Sequence, residues 1–192
     1  MPGESRPNEA EREFLILAYN RFYGLYDEIK SESFWEKDAW YRFYKIRDAF
    51  LVYAEILHYP PMQWVFEKIE KTRPPIEAEI GRGLFKLIRN IMAHMPFFEA
   101  WNDTWISKNL VNWYKDGQAI DKFLKEHEGK GEIKFRYWIP DKKKMVYLSI
   151  HFPADYASNK KIFLKDILEE KEGVSFAVSY MRNIIDTQVE KP

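Results

Sequence analysis

Regular patterning begins at Glu9, where apolar residues start to recur at steps of three and four. Leu15, Ala18, Phe22, Leu25 and Ile29 make one stripe of an amphipathic helix, with Asn8 placed to cap it and Glu9 and Glu11 in its first turn. Phe43, Ile46, Phe50, Tyr53 and Leu57 make a second stripe. It predicts a long helix from a cap at Ser31 or Ser33 to Tyr59, stopped by Pro60-Pro61. A shorter helix, about Met62 to Lys71, precedes another break at Pro74-Pro75. Beyond it, Ile80, Leu84, Leu87 and Ile91 define a fourth helix, and Phe85, Ile88 and Met92 widen its apolar arc past half of its circumference. Pro96 ends that helix and leaves His94 in or beside its last turn.

After Pro96 the pattern changes. Phe97 to Trp105 is aromatic and irregular, and Asp103 or Thr104 is placed to cap a short helix through Trp113. Gln118 to Glu128 is amphipathic and ends at Gly129. The period then switches to two: Ile133, Phe135, Tyr137 and Ile139 alternate, Asp141 to Lys144 make a polar turn, and Met145 to Phe152 answer as a second strand. Two helices, near Lys160–Glu170 and Val174–Val189, follow, with Gly173 between them. The expected fold is mainly α: an antiparallel four-helix-type bundle over residues 1–95, and a C-terminal α+β extension over 96–192. The extension contains a β-hairpin at about 132–152, and both parts pack as one unit.

Charge narrows the function classes. Thirty basic and thirty acidic residues cancel across the 192-residue chain. That balance argues against a protein living by non-specific grip on nucleic acid, which needs a positive excess to neutralise phosphate, while leaving room for a local basic patch. The chain has no cysteine, which removes disulfides, thiolate zinc sites and cysteine nucleophiles. The first residues carry no apolar signal core and no run reaches membrane-spanning length, so the expected compartment is the cytoplasm. At 17%, aromatics are numerous, and several fall outside the helical stripes, which points to surface buried against another molecule, a second copy of the chain among the choices.

The sharpest chemical signal is Arg89-Asn90-Ile91-Met92-Ala93-His94, at the end of the fourth predicted helix. A permanently charged fork that matches phosphate oxygens stands five residues before a group that titrates near neutrality. Five residues place Arg89 and His94 about 140° apart on an ideal helix, so two copies about a twofold axis converge on one phosphate more readily than one chain does. Asn90, four before His94, lies on the histidine's face, where its amide can orient the imidazole or a phosphate. The competing reading is structural: His94 shares register with Ile80, Leu84, Leu87 and Ile91 and suits a core or helix-end histidine, and Arg89 suits a solvated surface.

This arginine, a following polar residue and a histidine five positions on resemble the motif of the HEPN superfamily, and the likeness covers the helical bundle and motif, about half of the chain. The resemblance implies a homodimeric, metal-independent endoribonuclease with Arg89, Asn90 and His94 as catalytic residues, RNA as substrate, and a role as toxin or phage-defence effector. Some members have lost catalysis, so a non-catalytic module binding a partner protein or nucleotide is the alternative; a bundle unrelated to that family is the third.

The remaining candidates are weaker. His58 stands at a helix end and reads as structural; His127, in a charged helix, reads as solvated; His151 lies in a strand. No two histidines have helical metal-ligand spacing and no glycine loop is placed to cradle phosphate, so neither a metal nor a cofactor is expected. Gly81 and Gly83 fall inside the fourth helix, where they allow close helix approach, a dimer seam included. Lys142-Lys143-Lys144 and Lys160-Lys161 read as solubilising turns or RNA-phosphate contacts. The aromatic stretch from Phe97 to Trp113 suits base stacking, the covering of the bundle end, or a dimer interface.

Overall fold

The computed structural model describes residues 7–60, 67–68, 71–72, 75–114, 117–139 and 143–189. The first helix, α1 (Glu9–Lys30), starts on a reciprocal cap: Asn8 Oδ1 accepts from the Glu11 amide, and the Glu11 carboxylate accepts from the Asn8 amide. Leu15, Phe22, Leu25 and Ile29 are buried as their spacing requires, with Ala18 half-buried beside them.

The second helix begins later than expected. Ser31 and Ser33 do not cap it; Glu32–Phe34 form a separate 3-10 turn, and α2 spans Ala39–Leu57. The reason lies in Phe34 and Phe43, both 1% exposed. Nine residues apart on one helix they would face opposite sides, about 180° round, so a separate turn is needed to bury both. Glu28 meets Tyr41 and Lys45, and Arg21 meets Asp48 at 2.8 Å, so α1 and α2 run antiparallel.

The predicted helix over Met62–Lys71 lies largely outside the described residues, as do Pro61, Pro74, Lys142 and the side chain of Ile80. The helix expected after Pro74 is present as α3 (Pro75–His94). Leu84, Phe85, Leu87, Ile88, Ile91 and Met92 are all buried, and Met95 continues the core past its end.

Three corrections fall after Pro96. No helix starts at Asp103 or Thr104. Thr104 is buried with its hydroxyl donating to the Ala100 carbonyl (2.7 Å), Trp105–Ile106 form strand β1, and Ser107 caps a one-turn helix, α4 (Lys108–Val111). The helix expected near Lys160–Glu170 is instead strand β4 (Ile162–Phe163), paired antiparallel with β1, then a short α6 (Leu164–Ile167). Two-residue strands are too short to show a period, and their partners lie more than fifty residues apart in sequence.

Between them stand α5 (Gly117–His127), ended by Gly129 at φ 76°, and the expected hairpin. Its strands, β2 (Glu132–Ile139) and β3 (Lys144–His151), pair Ile133 with Ile150, Phe135 with Leu148 and Tyr137 with Val146. Gly173 does not separate two helices. It lies within α7 (Glu170–Val189), where a Cβ would come within 2.3 Å of Leu168, and the Glu169 carboxylate caps the helix through the Lys171 and Glu172 amides.

The architecture is mainly α with a β-hairpin extension, around one continuous core cluster drawing on both halves of the chain. Helix α7 packs on α1, α2 and α3 and also meets the hairpin. Phe176 is the joint: its ring lies 6.3 Å from Phe85 of α3, 4.8 Å from Phe135 and 4.9 Å from Tyr137 of β2. No described helix is long and apolar enough to cross a membrane.

Truncating Phe176 removes contacts to α3 and β2 at once. Phe176→Ala is expected to cost about 3–5 kcal/mol in urea unfolding; a loss under about 1 kcal/mol would show that the bundle and hairpin do not share this joint.

Candidate functional site

Because α3 is buried on most sides, few of its side chains reach the surface. Glu79, Arg82 and Lys86 are exposed and Arg89 half-buried, at steps of three and four along one strip, while Asn90 faces inward at 4% exposure. Arg89 and Asn90 meet: the guanidinium donates from Nη1 to Asn90 Oδ1 at 3.1 Å. Both line a cleft of about 220 Å³ between α2 and α3, whose walls also include Tyr53, His58, Arg82 and Lys86.

The electrostatics of this cleft run one way. Arg82, Lys86 and Arg89 bring positive charge, His58 adds an imidazole, and no carboxylate lines it among the described residues. His58 Nδ1 lies 3.3 Å from Glu55 Oε2, one helical turn back, so a carboxylate outside the lining steadies the ring. Two buried polar atoms of lining residues, Arg89 Nε and Tyr53 Oη, have no hydrogen-bond partner among the described residues. Burial, then the neighbouring Tyr180, pushes the Tyr53 phenol well above its ordinary range, so it stays a neutral O–H donor. Cations lining one space suit an anion with several oxygens, such as a phosphodiester.

His94 is not in that lining. It is the last residue of α3, exposed, with its ring 6.0 Å from the Tyr114 ring and nearly edge-on. The structure thus brings Arg89 and Asn90 together and sets His94 outside their cleft, as a five-residue spacing dictates. Exposure also removes the reading of His94 as a core histidine, despite its shared register, because α3 ends there. Phe97, at 60%, and Trp113, at 83%, are exposed nearby in sequence, whereas Phe98 and Trp101 are buried, Trp101 donating to the Leu168 carbonyl at 3.0 Å. The aromatic stretch is therefore divided, one part covering the core and another facing out.

Two residues stand differently from their sequence reading. His58, read as structural, is exposed and lines the cleft. His127, read as solvated, is 0% exposed. Gly83 allows the close helix approach read for it, here within the chain, since a Cβ there would come within 2.4 Å of the Phe123 ring on α5. Tyr53 showed only as a core position, and its hydroxyl carried no sequence signal of a cleft. Lys161, from the second lysine pair, covers the Trp105 ring at 4.3 Å.

Compared with protein-family models, curated proteins and solved structures, the chain matches none.

A buried hydroxyl without a partner is a standing cost. Tyr53→Phe is therefore expected to leave the protein as stable as the wild type or up to about 1 kcal/mol more so in phosphate-free urea unfolding; a loss above that size would show that Oη is partnered in the free protein.

Proposed function

We propose that this protein is a HEPN-like, metal-independent endoribonuclease that works as a homodimer. One observation carries the proposal: Arg89 and Asn90 of the motif share a cleft with Arg82, Lys86 and His58, and among the described residues no carboxylate lines it. In the proposed mechanism the Arg89 guanidinium holds the scissile phosphate and stabilises the charge of the phosphorane, while Asn90 keeps the fork in place. Histidine takes the 2′-hydroxyl proton and returns a proton to the leaving 5′-oxygen, giving a 2′,3′-cyclic phosphate. His94 of a second copy supplies that group, because within one chain His94 lies outside the cleft. The toxin or phage-defence role follows from the family resemblance alone.

One observation favours a second arrangement of the same chemistry. His58 lines the cleft in the same chain as Arg89 and is steadied by Glu55. It could transfer the proton without a partner copy. The non-catalytic alternative, a module that binds a partner protein or nucleotide through the same cleft, predicts binding without cleavage.

The variants separate these cases. With diverse RNAs in EDTA, wild-type protein is expected to cut and leave 2′,3′-cyclic ends. Arg89→Ala and His94→Ala should each lower the rate on the order of a hundredfold or more with the fold intact by circular dichroism. Mixing those two variants, with subunit exchange verified, should restore part of the activity. Loss in His58→Ala with retention in His94→Ala would move proton transfer into one chain. A folded wild type that is inert but binds RNA or nucleotide would leave the interaction module in place of the enzyme.

A further inference from the structure

The second cleft along α3, about 620 Å³, lies towards α5 and is lined by Glu79, Arg82, Lys86, Lys122, Phe123 and Glu126. At its edge His127, the last residue of α5, is completely buried. Its ring is held between two aromatic rings, with Phe123 4.3 Å away by centroid and Phe152 stacked at 4.8 Å. Its Nδ1 lies 2.9 Å from the Phe123 carbonyl oxygen. A carbonyl only accepts, so Nδ1 carries a proton and Nε2 is the ring atom left to face other groups. This is the arrangement by which a backbone carbonyl orients a metal-ligating histidine.

Nε2 faces carboxylates: Glu79 Oε1 lies 3.1 Å from it, and ligand oxygens of Glu79 and Glu126 together with Nε2 fall within 4.8 Å of one another. Nε2 makes no hydrogen bond to any described residue, although it is buried. Such a set needs a positive charge among its members, either a second proton on the ring, ion-paired with Glu79, or a metal ion held by all three. Three ligands of this kind, one imidazole nitrogen and two carboxylate oxygens, match an open metal site with a fourth position for water. We infer that Glu79, Glu126 and His127 bind a divalent transition-metal ion of the zinc class, which clamps α5 to α3.

Local packing makes the site possible. Gly83 on α3 admits the Phe123 ring that covers His127, so the two helices approach closely enough for Glu79 to reach across. The competing contacts are modest: Glu126 pairs with Lys122 at 3.5 Å, both largely exposed, and an exposed pair yields readily to a metal. Adjacent residues on one helix and a glutamate from another make no sequence motif, and only the α3–α5 contact assembles the set. The site stands independently of the ribonuclease proposal, whose proton transfers involve no metal.

The test is titration of chelator-stripped full-length protein with zinc chloride in calorimetry. The expected result is one ion per chain, with magnesium giving no heat under the same conditions, since a buried imidazole suits zinc and not magnesium. Zinc at about a hundredfold over Kd should raise Tm by roughly 5–10 °C. Glu79→Gln and Glu126→Gln change only exposed carboxylates and keep the fold, so each should weaken zinc at least about tenfold. Cobalt(II) in place of zinc should give visible absorption in the wild type and lose intensity in both variants. Absence of zinc heat and of any Tm shift would overturn the assignment. Zinc binding undiminished in both glutamine variants would overturn it too, by placing the ion elsewhere.

Discussion

The burial of α3 is the constraint on which the rest of the molecule depends. Among the described residues of a helix packed by α2, α7 and α5, a strip between walls supplied by its neighbours carries exposed Glu79, Arg82 and Lys86 and half-buried Arg89, with His94 exposed at the helix end. Every polar group on that strip sits beside apolar surface, where charges are less well solvated and interactions with a bound anion or cation count for more than they do in open water. The two clefts flanking the strip share Arg82 and Lys86; no described carboxylate lines the one towards α2, whereas Glu79 and Glu126 join Lys122 in the one towards α5.

Helix α7 secures that arrangement from the opposite side. Phe176 and Tyr180 meet Phe85 of α3 as well as Phe135 of the hairpin, so the final helix is both a bundle member and the base of the β extension. The largely buried pair of Arg42 and Glu170, at 3.0 Å, ties the start of α2 to the start of α7. Breaking such a pair by removing one partner leaves an uncompensated charge, so it specifies the docking of α7 more than it adds net stability. A similar economy holds at Asp121 on α5, fully buried yet 2.9 Å from the Lys125 ammonium. Tyr156 lies beside it, its phenol raised first by burial and then by the Asp121 charge.

Much of the fold was legible because helices and the hairpin announce themselves locally. The Asn8 cap, the stripes of α1 to α3, the halt at Gly129 and the alternation from Ile133 to Ile150 each depend on neighbours within a few residues. Errors arose where periodicity did not carry the deciding contact. Phe34 needed its own turn to be buried together with Phe43, Ile106 became a strand because Ile162 pairs with it, and Leu168 packs over the Gly173 that was read as separating two helices. For the candidate site, the divergence of His94 from Arg89 followed from helical geometry, whereas Asn90, read beside His94, pairs with Arg89 instead, and the places of Tyr53 and His58 required the α2 wall.

By itself, then, the sequence determined the mainly α architecture with its hairpin, the end of α3 at Pro96, and the angular separation of Arg89 from His94. These are properties of backbone periodicity and of residues within one or two turns of each other. Only the tertiary structure decided that His127 is buried with its Nε2 turned to Glu79 and Glu126, and that Arg89, Asn90 and His58 share a cleft that no described carboxylate lines. Burial and electrostatic sign at a point are set by every element that packs around it, and those elements come from positions far apart in the chain, where no local pattern records their meeting.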